Sequence, residues 1–169
     1  LARTLVEQTA LRAARFADLA GRAPSLATVL VGDDPGSRAY VACELVSTVY
    51  AIDMGKRKVI ATIKAGTFSN GVAVAPDGQR VYVSNGKDGT VSVIRSSDNQ
   101  VEATLAVGKR PWNMAITPDG RKLYVANGRS GSVSVIDVAS GAVVATVVGS
   151  TGTKPINASP LGIAFGRTP

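Results

Sequence analysis

Residues 72–95 read VAVAPDGQRVYVSNGKDGTVSVIR, and residues 114–137 read MAITPDGRKLYVANGRSGSVSVID, the same pattern 42 positions later. Pro76, Gly78, Tyr82 and Asn85 fall on Pro118, Gly120, Tyr124 and Asn127, and TVYAID at 48–53 stands at the same offset from TVSVIR at 90–95. A period held to the residue marks a repeat architecture. Each period contains four strand-sized runs, seen at 71–75, 80–85, 90–95 and 101–107, bounded by turn residues. In the Pro-Asp-Gly turns at 76–78 and 118–120, proline presets φ, aspartate can bond the backbone and glycine accepts a positive φ. NGKDG (85–89), NGRSG (127–131) and ASG (139–141) are further hairpin turns, and VGKRP (107–111) is the link to the next sheet. Asn85 and Asn127, each before a glycine, are expected to be structural residues in a left-handed turn conformation.

Four antiparallel strands in about 40–45 residues is the unit of a β-propeller blade. From Val49 onward two strands, two complete blades and a last strand at GIAFG, within PLGIAFG (160–166), can be counted. The expected fold is mainly β: a partial propeller of about three four-stranded antiparallel blades, preceded by a short α/β segment. Closed propellers usually have 4–8 blades. The chain is therefore expected to be a fragment, or to assemble with copies of itself through open blade edges.

The segments VYVSN (81–85) and LYVAN (123–127), each followed by G-x-V-S-V-I, resemble the YVTN-type β-propeller repeats over roughly residues 46–169. The resemblance implies a rigid binding platform, often extracytoplasmic or at the cell surface, with no shared catalytic set.

The first residues read differently. LARTLVEQTALRAARFADLAG (1–21) has the spacing of an amphipathic helix, and SLATVLVG (25–32) that of a buried strand. Asp33 to Ser37 form a turn, with Ser37 as a candidate cap for a helix over RAYVACELV (38–46). The stretch APSLATVLVGDDPGSRAYV (23–41) resembles the start of methylenetetrahydrofolate dehydrogenase/cyclohydrolase, with the resemblance reaching from residue 1 to 41 at most. In that family a tyrosine is followed four positions later, on one helix face, by a catalytic lysine. Tyr40 matches the tyrosine, but Glu44 stands where the lysine belongs, and a carboxylate cannot supply an ammonium. The expected division is a helix-strand-helix segment over 1–44 and propeller repeats over 45–169, joined near residues 42–47, with no 42-residue period in the first part.

Composition narrows the function. The 169 residues are 45% hydrophobic and 18% charged, with 18 Gly and 8 Pro, which suits a turn-rich globular chain. There is no histidine and Cys43 is the lone cysteine, which excludes His-based acid/base catalysis, usual zinc sites and an internal disulfide. No cofactor is expected. Asp77 and Asp119 recur as turn residues and are too sparse for calcium, which takes six or more oxygens. No window reaches the ~20 apolar residues of a membrane span, and the charged start is unlike a secretory signal, although the chain begins at Leu1 without a Met.

The net charge is +7. Residues 1–44 hold five basic and five acidic groups, so the whole excess belongs to residues 45–169. An anionic surface or polymer is a candidate partner, against the alternative of ordinary solvated turns. With one Trp and no basic run interleaved with aromatics, a specific nucleic-acid site is not indicated.

Lys109, Arg110, Trp112 and Asn113 lie at the link between blades, where a ligand-facing loop is expected, and Arg with Trp is a frequent binding pair. The equivalent positions one period earlier are Thr67, Phe68, Asn70 and Gly71, so a role in blade packing stands beside the binding role. Three functions are open: a non-catalytic scaffold for an unknown protein, glycan or anionic ligand; a remnant of the folate enzyme; and a self-assembling structural surface protein.

Overall fold

The computed structural model describes residues 29–30, 38–148, 150–151 and 154–155. The expected helix at 1–21, the Ser37 cap and the strand at GIAFG lie outside the described residues.

Three four-stranded antiparallel sheets follow one another along the chain. The first contains β1 (Val29–Leu30), β2 (Arg38–Cys43), β3 (Thr48–Asp53) and β4 (Lys58–Ile63). The second contains β5 (Ser69–Val74), β6 (Arg80–Asn85), β7 (Thr90–Arg95) and β8 (Gln100–Ala106). The third contains β9 (Pro111–Ile116), β10 (Lys122–Asn127), β11 (Ser132–Asp137) and β12 (Ala142–Val148). A small hairpin of β13 (Ser150–Thr151) and β14 (Lys154–Pro155) follows. Within each sheet the spatial order is the chain order, the meander of a propeller blade. The partial propeller of about three blades read from the repeat is the architecture found.

The blades stack through their faces. Tyr40, Ala42, Val49, Ala51 and Ile63 of the first pack with Val72, Val81, Val83 and Ile94 of the second. On the other face of the second blade, Ala73, Tyr82, Val91 and Val93 meet Met114, Leu123, Val125 and Ile136 of the third. Successive strand residues point to opposite faces, so a middle blade must be apolar on both. Each fully buried Val, Ile or Leu contributes roughly 1.5–3 kcal/mol.

Two readings of the start are corrected. The helix expected over 38–46 is strand β2, paired residue by residue with β3 from Arg38↔Asp53 to Cys43↔Thr48. This sheet continues across the boundary expected at 44/45. The reason lies in burial: Ala39, Val41 and Cys43 fill one face and Tyr40 and Ala42 the other, all at most 4% exposed. A short run apolar on both faces has no period to separate strand from helix. The 42-residue period also reaches further than expected, since RAYVAC (38–43) aligns with RVYVSN (80–85) and KLYVAN (122–127). Tyr40 is the first copy of Tyr82 and Tyr124.

The turn chemistry is largely as read. Gly78 and Gly120 have φ of 69° and 70°, and their amides donate to the carbonyls of Ala75 and Thr117 at 2.8 Å. Asn85 and Asn127 are structural, but not as left-handed turn residues: the positive φ falls on Gly89 and Gly131. Both asparagines end their strands with side chains fully buried. Asn85 Nδ2 donates to Thr90 Oγ1 at 3.0 Å and Ser92 Oγ at 2.9 Å, and Asn127 Nδ2 to Ser132 Oγ at 3.2 Å and Ser134 Oγ at 2.8 Å. An inward side chain satisfied across the hairpin needs no unusual backbone.

Candidate functional site

The links between blades and the β6–β7 and β10–β11 turns lie at one end of the stack, and the backbone joins them. Gly86 and Lys87 N–H donate to the carbonyls of Phe68 and Thr67 at 2.8 and 3.2 Å. One period on, Gly128 and Arg129 N–H donate to Arg110 and Lys109 at 2.8 and 3.0 Å. A turn side chain clamps each link: Asp88 Oδ2 accepts from Thr67 N–H at 2.6 Å, and Ser130 Oγ accepts from Lys109 N–H at 2.5 Å. Phe68 and Arg110, 42 residues apart, both adopt left-handed backbone, with φ of 60° and 53°.

Between the second and third blades this end opens into a pocket of about 490 Å³. Lys87, Lys109, Arg110 and Arg129 line it with Phe68, Asn70 and Asp88. Four cations against one carboxylate leave a positive site. Among the described residues none of the four is in an ion pair, whereas Lys56, Arg80, Arg95, Arg121 and Lys122 all are. Arg110 lies over the Trp112 ring at 4.9 Å from its centroid, which occupies the guanidinium face while its N–H donors lie in the plane.

Of the residues expected at a site, Lys109 and Arg110 line the pocket and Trp112 supports Arg110 from beneath. The Trp112 backbone carbonyl also ties the second and third blades together, accepting from Ser84 Oγ at 2.8 Å. Asn113 is not among the lining residues; its Oδ1 accepts from Met114 N–H at 2.8 Å. Lys87 and Arg129 were missed by sequence reasoning. The signal was available, because both occupy the third position of the NG turns, which meets the link.

Asn70 was also missed. It is 3% exposed and lies in the pocket floor, with neither amide atom hydrogen-bonded among the described residues. A Cβ on Gly86 would stand 3.0 Å from its Nδ2, so the glycine leaves room for the amide.

Tyr40 and Glu44 do not form a site. Tyr40 is buried at the blade interface, and its hydroxyl donates to Asn99 Oδ1 at 3.0 Å. Beside it the Arg38 guanidinium donates to the Ser96 carbonyl. Glu44 is in the β2–β3 turn, its carbonyl accepting from Ser47 N–H at 3.2 Å, rather than one helical turn from Tyr40. The Cys43 thiol, pushed up in pKa by burial, occupies the repeat position of Asn85 and Asn127.

Residues 28–156 match the family described as lactonase, 7-bladed beta-propeller. Among solved structures, the chain is similar to hydrazine synthase of Kuenenia stuttgartiensis, with 27% identity and a TM-score of 0.63 over 70% of this chain and 37% of that one. It is also similar to a putative 6-phosphogluconolactonase of Bacteroides fragilis, with 25% identity and a TM-score of 0.59 over 69% and 36%. A 40-residue stretch, 24% of the chain, is 58% identical to the bifunctional protein FolD 1 of Streptomyces avermitilis and covers 14% of it. The chain thus spans little more than a third of the two solved propellers and a smaller part of the curated relative.

Proposed function

Because the chain belongs to the seven-bladed β-propeller lactonase family, we propose that its three blades form a non-catalytic binding scaffold that takes an anionic ligand between the second and third. The observation that carries this reading is the group of four cations around the pocket, none of them ion-paired among the described residues. Held by backbone-clamped turns and links, they offer an anion donors that need little reorganisation.

The test is retention on dextran sulfate, with neutral dextran as control, for the chain, a Lys109→Gln/Arg110→Gln variant and a Lys58→Gln/Lys64→Gln variant. The last pair removes the same charge from exposed positions on the first blade. Retention is expected to fall only in the pocket variant and to be screened at about 1 M salt, where the Debye length is ~3 Å. Equal retention of both variants would reduce the effect to net charge and overturn the reading.

Family membership favours lactone hydrolysis as a second reading. It predicts proton release from δ-valerolactone above the buffer rate; the scaffold reading predicts none.

A further inference from the structure

Building on the anion-binding reading, we infer that the pocket's ligand is an acidic carbohydrate, a uronate-bearing sugar of one or two rings. The feature that points beyond a bare anion is Asn70. A buried amide left without partners is costly, and Asn70 goes further than the other buried asparagines: Asn85 and Asn127 each donate Nδ2 to two hydroxyls, although Asn127 Oδ1 too has no partner among the described residues. Among the described residues both atoms of the Asn70 amide are unpartnered, in the pocket floor. The repeat does not require an amide here, because the equivalent position in the next blade is Trp112.

An amide is completed by a ligand that both accepts from its NH₂ and donates to its oxygen. Sulfate and simple carboxylates bring only acceptors at neutral pH and hydrogen phosphate a single P–OH, whereas a sugar ring brings several hydroxyls that each do both. Phe68, 36% exposed, adds an aromatic surface to the same pocket, and the electron-rich face of such a ring attracts the C–H face of a pyranose. Lys87, Lys109, Arg110 and Arg129 supply the charge for the carboxylate. A volume of about 490 Å³ is in the range of small-ligand sites.

Trp112 is the sole tryptophan and stacks on Arg110, so its emission reports on the site, with calorimetry as a parallel readout. The whole chain is titrated with digalacturonate, cellobiose, glutarate and inorganic phosphate. Digalacturonate is expected to bind at least ~10-fold more tightly than the other three, and Asn70→Ala to remove about that factor while leaving glutarate binding unchanged. Asn70→Ser, with its melting transition checked, serves if the alanine variant does not fold. Equal binding of digalacturonate, glutarate and phosphate, indifferent to Asn70, overturns the carbohydrate inference and leaves the anion site standing. If no anion binds, and Lys109→Gln/Arg110→Gln leaves dextran sulfate retention unchanged, the anion-binding reading itself fails.

Discussion

At the scale of single residues, the 42-residue period governs backbone conformation even where residue type resists it. Left-handed φ recurs at Ser47, Gly89 and Gly131, at Arg57, Asn99 and Gly141, at Phe68 and Arg110, and at Gly78 and Gly120. Glycine takes this region freely, while an L side chain meets a cost of about 1–2 kcal/mol. Arg57→Gly is therefore expected to stabilise the protein by roughly 0.5–1 kcal/mol, and Gly141→Ala to destabilise it by about 1 kcal/mol. Urea midpoints check both, and a loss of stability in Arg57→Gly would show that its side chain contributes more than the strain costs. Asn99 differs because its amide oxygen takes the Tyr40 hydroxyl. The positive φ of the Pro-Asp-Gly glycines was legible beforehand; that of Phe68 and Arg110 was not, because a bulky residue carries no turn signal.

At the scale of elements, β8 shows how an outer strand is tied to its sheet by charge. Glu102 binds the Nε of Arg80 at 2.7 Å and of Arg95 at 3.1 Å, on the two preceding strands, and Asp98 binds Arg95 at 2.8 Å. Hydrogen bonds from Arg80, foremost, and from Arg95 hold the Glu102 carboxyl below the usual range against a smaller opposing effect of burial. A carboxylate with a lowered folded pKa stabilises above its unfolded value, near ~4.3, and that contribution is lost as pH falls through the folded value. Stability is thus expected to decline below about pH 4, with a shallower decline in Glu102→Gln. Denaturant midpoints at neutral and acid pH decide this, and parallel acid limbs would remove Glu102 from the account. Solvation of the half-exposed arginines keeps the effect small. The equivalent position in β12 is Val144, and Val143, Val144, Val147 and Val148 are all exposed there. An uncharged apolar edge strand invites pairing.

For the whole molecule, the two ends of the stack are unlike. The far face of the first blade is covered: Ala39, Val41, Cys43, Tyr50 and Ile52 are at most 8% exposed. On the far face of the third blade, Val133 and Val147 occupy the positions of Val91 and Leu105, which in the second blade pack toward the third. There Val147 is 56% exposed, whereas its counterpart Leu105 is half-buried, and Val133 is half-buried where Val91 is fully buried. Self-association is expected to use the third blade. Light scattering after size exclusion should show a mass that rises with concentration above 17.3 kDa, and Val147→Lys should hold it near the monomer. A wild-type mass that stays at the monomer at every concentration would end that expectation.

The blade repeat, its strand bounds to within two residues in the second blade, and the turn glycines followed from the sequence alone, because periodic turns and strand-length apolar runs are local signals. So did the basic link at Lys109 and Arg110. The tertiary structure decided what depends on residues distant in the chain. RAYVAC is a strand because it pairs with β3 and is buried on both faces, Tyr40 and Ala42 against the second blade and Ala39, Val41 and Cys43 on the far side, which a six-residue apolar run does not announce. Lys87 and Arg129 join the site because one turn folds back onto each link. Asn70 acquired its significance only from what surrounds it, since an asparagine after a serine looks like any loop residue until burial removes every partner from both ends of its amide.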